Sequence, residues 1–166
     1  MRSIALLLVA ATGLLAACAA TPELAPAPIP SAEAAPAPVA GYDWFLSQDG
    51  DLVALAYGQA DSDDLKLKFD CMAGSGRLTL LTQGAPGQID IHLESGGDTE
   101  RYPGSAEPSA LHDGDLLTAE ASADGPVFKR FRRLGWIAAW EGETREVYAA
   151  HPGSEKAVSD FFAVCG

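Results

Sequence analysis

Six residues in the last third of the chain combine positive charge with aromatic surface: Lys129, Arg130, Arg132, Arg133, Trp136 and Trp140. Clustered cations can hold an anionic ligand such as a lipid phosphate, a glycan carboxylate or an acidic protein. Exposed indole rings can stack on a glycan or a peptide. The six residues are therefore a candidate binding patch. Two plainer interpretations stay open: the cations form a solvated helix face, and both tryptophans pack in the core.

Other polar residues lack the spacing of a catalytic or metal-binding motif. His92, His112 and His151 have no further ligand at the spacing of a known zinc site. The acidic loop 61–64 lacks the Gly and the Glu of an EF-hand, which favours a solvated turn over an ion site. Residues 73–76 lack the Gly-x-Ser-x-Gly pattern of a hydrolase nucleophile and indicate a turn. We expect no metal, no cofactor and no enzyme activity; a hydrolase with an unrecognised site is the alternative.

The charge of the chain limits the classes of partner it can bind. The formal net charge is −12 at pH 7, so most of the surface repels nucleic acid and anionic lipid head groups. Binding to nucleic acid is therefore not expected. The same charge also favours solubility, which is a sufficient explanation for it.

The N-terminal residues follow the order of a secretory signal peptide: a cation, a short apolar run and small residues. Leu15-Ala16-Ala17-Cys18 resembles the lipobox of bacterial lipoproteins. This resemblance implies removal of residues 1–17 and lipidation of Cys18, which anchors a chain in a membrane. Ala19 is not the aspartate associated with inner-membrane retention, so we expect the outer membrane, facing the periplasm. An ordinary secretory cleavage and an uncleaved anchor are the alternatives.

Residues 18–40 follow as a tether rich in Ala and Pro. Proline fixes φ and removes a backbone donor, so this segment favours polyproline II over helix or sheet. At about 3.1 Å per residue it reaches on the order of 60 Å. Recognition of the prolines by a partner is the less favoured interpretation. Residues 41–166 then have the length of one β-rich domain.

The cysteine count fits an exported protein once Cys18 is assigned to lipid. The remaining two, Cys71 and Cys165, make an even pair in an oxidising compartment. We expect a disulfide between them, which stabilises by roughly 4–5 kcal/mol in the chain-entropy description of so long a loop. Two buried free thiols are the alternative.

Alternation of apolar and polar residues predicts most strands. Leu65–Cys71 alternates without interruption, and residues 88–94 repeat the pattern with Ile89 among the inward side chains. Further strands are expected at 42–47, 52–57, 77–82, 99–102, 116–122, 136–140 and 144–149. A short helix is expected from Pro126 to Leu134, and a C-terminal helix with Ser154 as its cap.

These elements predict a mainly β (α+β) fold, an antiparallel β-sandwich or barrel-like sheet with a short helix and a C-terminal helix packed on it. The spacing Phe128-x-x-Phe131-x-x-x-Gly135, then a hairpin and Phe161-Phe162-x-x-Cys165, resembles small Gram-negative envelope proteins. The layout is similar to the invasion-associated locus B family, which implies an exported, β-rich, disulfide-bonded domain. Lipoprotein inhibitors of c-type lysozyme also combine a lipobox with a small β-barrel, but their inhibitory loop is not legible in this sequence.

We therefore expect a lipid-anchored, non-enzymatic protein of the cell envelope that binds or helps to assemble an envelope component. Its expected partners are the membrane, through the N-terminal lipid, and an anionic envelope component or a protein. An envelope hydrolase or an enzyme-inhibitor lipoprotein is the alternative.

Overall fold

The computed structural model describes residues 35–110 and 113–166. The predicted signal peptide, the lipidation site Cys18, most of the tether and His112 lie outside them. Nine strands and two helices form within the described residues. They are β1 (Tyr42–Asp49), β2 (Leu52–Gln59), β3 (Leu65–Met72), β4 (Arg77–Gly84), β5 (Asp90–Ser95), β6 (Asp98–Pro108), β7 (Asp115–Ser122), α1 (Pro126–Leu134), β8 (Trp136–Glu141), β9 (Thr144–Ala149) and α2 (Glu155–Cys165).

Strand β3 shows why these segments form strands. Leu67, Phe69 and Cys71 are buried on one face, and the charged residues between them lie on the other. Because side chains of a strand alternate between faces, this pattern buries one face and leaves the other in solvent. The predicted mainly β fold is confirmed.

The strands form one antiparallel sheet in the order β1-β2-β3-β4-β7-β6-β5-β8-β9. The sheet curls into a nearly closed barrel, so β4 approaches β8 although three strands separate them in the sheet. Strand β6 spans the two halves, because residues 98–103 pair with β5 and residues 104–108 pair with β7. The strands β1 and β9 are left at the two ends of the sheet.

Aromatic rings from the sheet and both helices meet in the core. The Trp44 ring lies 5.0 Å from that of Phe131 in α1, and the Phe69 ring lies 5.5 Å from that of Phe128. Phe162 of α2 contacts the same two rings of α1. The helices therefore cover the inside of the curled sheet.

Three expectations differ from the structure in detail. Ile89, predicted to point inward, is 57% exposed because β5 begins only at Asp90. The strand expected at 99–102 extends to Pro108 because its second half pairs with β7. Ser154 does precede α2, but its hydroxyl makes no capping hydrogen bond and donates to Asp43 Oδ1 at 2.6 Å instead.

The end of α2 is fastened to the β3–β4 turn. Cys71 and Cys165 form the expected disulfide, with 5.9 Å between their Cα atoms. The N–H of Gly74 donates to Val164 O at 2.8 Å, and that of Gly76 donates to Cys165 O at 2.7 Å. The last carbonyls of a helix lack partners within the helix, so the Gly-Ser-Gly turn completes the hydrogen bonding of α2.

Candidate functional site

Helix α1 carries the four predicted cations, and its sequence sets its ends. Pro126 lies in the first turn, where a missing N–H costs no hydrogen bond. Gly135 ends the helix in a left-handed conformation, and its N–H donates to Phe131 O at 2.8 Å. Val127, Phe128 and Phe131 are buried in the core. The cations between them therefore occupy the remaining faces of the helix.

Arg130 faces the β5–β6 hairpin. Its Nε donates to Ser95 O at 2.6 Å, and its terminal nitrogen donates to Glu100 Oε1 at 2.8 Å and to Asp98 O at 3.2 Å. Only 16% of its side chain is exposed. Arg130 thus holds α1 against the hairpin. Its guanidinium is used in these internal hydrogen bonds and is not offered to a ligand.

The other three cations share one exposed face of α1. Lys129, Arg132 and Arg133 have i, i+3 and i+4 spacing, which places side chains above one another on a helix. Within the described residues, the side chains of Lys129 and Arg133 have no hydrogen bond or ion pair. Arg132 lies 3.7 Å from Asp124, and its guanidinium lies 5.0 Å from the centre of the Phe162 ring. These three residues are called the α1 basic face.

The tryptophans do not extend this face into an open stacking platform. Trp136 is only 8% exposed and packs outside the barrel with Ala138 and Ala149. The guanidinium of Arg145, which pairs with Glu94, lies 5.7 Å from the centre of its ring. The last residues of the predicted tether, Ala35, Pro36 and Pro38, line a cavity of about 220 Å³ beside it.

Trp140 has a different environment from Trp136. It is half-buried, and its indole N–H is enclosed without a hydrogen-bond partner in the described chain. The structure thus groups three of the six predicted residues on one surface and assigns Arg130, Trp136 and Trp140 to packing or internal bonding.

A cavity of about 370 Å³ lies where the barrel is not closed by strand pairing. Its walls come from β1, β2, β3 and β9 and from Val39, which precedes β1 by three positions. The lining residues are Val39, Tyr42, Tyr57, Lys66, Glu146, Val147 and Tyr148. It is called the seam cavity. No local pattern in the sequence predicts this cavity, because a cavity between the two end strands depends on which strands are left at the ends.

Three tyrosines pack together at the seam cavity. Tyr57 is stacked with Tyr42 at 5.9 Å between ring centres and lies 4.9 Å from Tyr148. The hydroxyl of Tyr148 donates to Glu146 at 3.2 Å, and that of Tyr42 donates to Asp64. The hydroxyl of Tyr57 is buried beside the backbone N–H of Val39, and its O–H donates to no acceptor in the part of the chain described. This hydroxyl is therefore enclosed in the protein beneath the cavity surface.

The charges near the seam cavity shift the pKa values of its side chains. The hydrogen bond to Asp64 and then burial raise the pKa of Tyr42. The hydrogen bonds from Tyr42 and Lys66 lower the pKa of Asp64, and that with Asp64 raises the pKa of Lys66. Burial is the main reason why the pKa values of Tyr57 and Tyr148 are raised. At neutral pH the tyrosines are uncharged donors. The positive charge of Lys66 is compensated by its ion pair with Asp64.

A serine, a histidine and an aspartate meet beside the cavity but are not arranged for nucleophilic catalysis. Asp43 Oδ1 accepts from Ser154 Oγ at 2.6 Å and from the backbone N–H of His151 at 3.3 Å. The His151 ring contacts Val39 O at 3.0 Å and makes no hydrogen bond with Ser154. A nucleophile requires a base within hydrogen-bond reach. The cluster instead ties β1 to the turn that follows β9.

The remaining candidates of the sequence are dispersed. His92 is half-buried on β5, and Asp61, Ser62 and Asp63 lie exposed in the loop before β3. Within residues 35–110 and 113–166, no three His, Cys, Asp or Glu side chains converge as metal ligands. In the same residues no helix has the length and apolarity to cross a membrane.

Comparison with known proteins identified no relative of this chain. No protein-family model, no curated protein and no solved structure matches this chain.

Proposed function

We propose that this chain is a non-enzymatic, lipid-anchored domain of the cell envelope that binds an anionic envelope component through the α1 basic face. The observation that carries the proposal is the alignment of Lys129, Arg132 and Arg133 on one exposed side of a rigid helix. Two of these cations have no partner among the described residues, although the chain carries a net charge of −12. Unpaired cations in an acidic molecule are a local attraction for anions.

The packing of α1 supports a binding role for this face. Arg130 and three buried apolar residues fix the helix on the barrel, so the three outward cations have a fixed spacing. A surface whose geometry is set before binding loses less conformational freedom when a ligand arrives. The face is therefore suited to an extended anion, such as a row of lipid phosphates or glycan carboxylates.

The proposed location rests on the sequence Leu15-Ala16-Ala17-Cys18. A lipid on Cys18 and a tether of some twenty residues would hold the domain close to the membrane surface and its attached polymers. The tether reaches on the order of 60 Å. Mass spectrometry of the processed protein tests the anchor directly: we expect a chain that begins at a lipid-modified Cys18, and an unmodified Cys18 would refute it.

Binding can be tested with the full chain carrying Cys18→Ser, so that no lipid contributes. Co-sedimentation is measured with phosphatidylethanolamine vesicles that contain or lack phosphatidylglycerol, and with isolated peptidoglycan. Each cation near an anionic surface contributes about 1 kcal/mol, so replacing Lys129, Arg132 and Arg133 by Ala should weaken binding on the order of a hundredfold. Added salt should weaken it as well.

A matched variant removes the same charge elsewhere. Arg77, Arg101 and Lys156 are exposed cations that already pair with Glu120, Asp90 and Asp160. Replacing these three by Ala should leave most of the binding intact. Equal losses in both triple variants would show that only net charge matters, and binding that survives the α1 variant would contradict the proposal. Binding to vesicles alone or to peptidoglycan alone identifies the source of the anion.

A further inference from the structure

We propose that the groove beside Trp136 is a docking site for proline-rich segments, and that the tether of a second copy of this chain supplies one. The groove contains none of the three cations of the α1 basic face, so this site and the proposed function can fail independently. It is called the Trp136 groove and is lined by Leu134, Gly135, Trp136, Ala149, Ala150, Pro152 and Glu155.

The Trp136 groove already holds a proline-rich segment in this structure. Ala35, Pro36 and Pro38 line the same cavity of about 220 Å³ as Trp136. The two prolines are half-buried, whereas the residues that alternate with them are exposed. Proline-rich segments suit aromatic-lined grooves, because their extended shape is fixed before docking and little conformational freedom is lost. A segment that replaces this one reaches the same atoms.

The sequence contains the seated motif twice. Residues 35–39 read Ala-Pro-Ala-Pro-Val, and residues 25–29, which lie outside the described residues, read Ala-Pro-Ala-Pro-Ile. The two copies differ by one methylene group in the last side chain. Val39 is 47% exposed, so the Trp136 groove has room for Ile in its place.

The seated copy is held mainly at its end, by backbone atoms. Val39 O accepts from Tyr42 N at 3.2 Å and lies 3.0 Å from His151 Nε2, and its N–H lies beside the Tyr57 hydroxyl. Ile29 brings the same backbone groups to His151 and Tyr57. Residues 35–38 make no hydrogen bond within the described part of the chain, and a cavity remains beside them. The seated copy is therefore exchangeable.

The first copy of the motif has the reach to dock on a neighbouring molecule. Residues 30–40 separate it from the domain, and at about 3.1 Å per residue they span about 34 Å. A domain of this size has a diameter of roughly 35 Å. Val39, by contrast, is joined to β1 through two residues only and stays on its own domain. Exchange of like elements between molecules is a low-cost route to a dimer.

Two double variants separate the copies of the motif. The first-copy variant carries Pro26→Ser and Pro28→Ser, and the seated-copy variant carries Pro36→Ser and Pro38→Ser. Both are made in the full chain with Cys18→Ser, so that no lipid contributes. The changes lie outside all strands and helices of the described residues, and melting curves check that each variant is folded.

The docking site is tested with a fluorescein-labelled peptide of residues 22–31, whose binding is followed by fluorescence anisotropy. A segment joined to its own groove has an effective concentration in the millimolar range, so the seated copy competes with the peptide. Adding the seated-copy changes to the first-copy variant should therefore tighten peptide binding on the order of tenfold. No binding, or binding that the seated copy does not weaken, would overturn the docking site.

Peptide controls test whether the motif is what binds. Pro26→Ser with Pro28→Ser in the peptide should abolish binding. Pro22→Ser with Pro30→Ser removes as many prolines outside the motif and should leave binding intact. Equal losses from the two changes would overturn recognition of the motif.

The second copy as occupant is tested by sedimentation velocity. The seated-copy variant has an empty groove and an intact first copy, so it should dimerise at concentrations where the peptide binds. Adding the first-copy changes should restore the monomer. A seated-copy variant that stays monomeric, or a dimer that survives both sets of changes, would overturn the exchange between molecules.

Discussion

Arg130 and Arg133 show how two identical side chains on one short helix serve different purposes. Arg130 makes three hydrogen bonds to the β5–β6 hairpin, whereas Arg133 points into solvent and has none within the described residues. The sequence could not distinguish them, because the partner Glu100 lies thirty positions upstream. Their difference arises from tertiary contacts alone.

The difference can be measured as stability. Arg130→Ala should lower the free energy of unfolding by about 2–3 kcal/mol, since it removes charge-assisted bonds and leaves partly buried acceptors without a donor. Arg133→Ala should change it by no more than about 0.5 kcal/mol. Urea unfolding of both variants provides the comparison. Equal effects would mean that Arg130 does not fasten α1.

Among the elements, β6 determines how the sheet closes, because it pairs with β5 in its first half and with β7 in its second. The change occurs at Gly104, where an added Cβ would lie 2.2 Å from Thr118 O. A distance this short means that the two backbones approach more closely than any side chain allows. Gly104 is therefore required by the bend of the barrel.

Gly104→Ala should force β6 away from β7. We expect a loss of about 2–3 kcal/mol in the free energy of unfolding, as for other overpacked sites, with faster amide exchange in β6 and β7. The neighbouring exposed Ser105 is the control, since Ser105→Ala should stay within about 0.5 kcal/mol. Unchanged exchange in the Gly104 variant would show that the strands have room to adjust.

The sequence predicts strands such as β3 well because the barrel buries only one of their faces. Strand 65–71 shows local alternation, strand 136–140 is a short continuous apolar run, and α1 has both its proline start and its glycine end. Local patterns do not predict the order of the strands in the sheet, so they did not predict the seam cavity. Tyr57 offered one signal: it continues the buried series Val53 and Leu55 and brings a hydroxyl into the core.

For the molecule as a whole, all four tyrosines resist ionisation. Burial is the main cause for Tyr57, Tyr102 and Tyr148, and the hydrogen bond to Asp64 is the main cause for Tyr42. Each pKa is raised above the ordinary value of 10.0. As the pH approaches that value, the tyrosines of the unfolded chain ionise before those of the folded chain, so alkali shifts the equilibrium toward the unfolded state.

This predicts a loss of stability in alkali. A raised folded pKa gives a contribution that is fully present below the unfolded value of about 10 and is lost as the pH rises through the folded value. The free energy of unfolding should therefore fall from about pH 10 upward. Absorbance of tyrosinate should show no native transition near pH 10, whereas the protein in guanidinium should titrate there. Four normal titrations in the native protein would contradict this.

The disulfide between Cys71 and Cys165 also decides how the molecule responds to a mechanical pull. Force applied through the N-terminal segment loads the edge strand β1 first and peels it from β2 one hydrogen bond after another. Unravelling stops at Cys71, because the covalent link holds the remaining chain as a closed ring. Helix α1 lies within that ring, so its basic face remains part of the disulfide-closed segment. The first three strands then extend and lengthen the connection to the N-terminal segment.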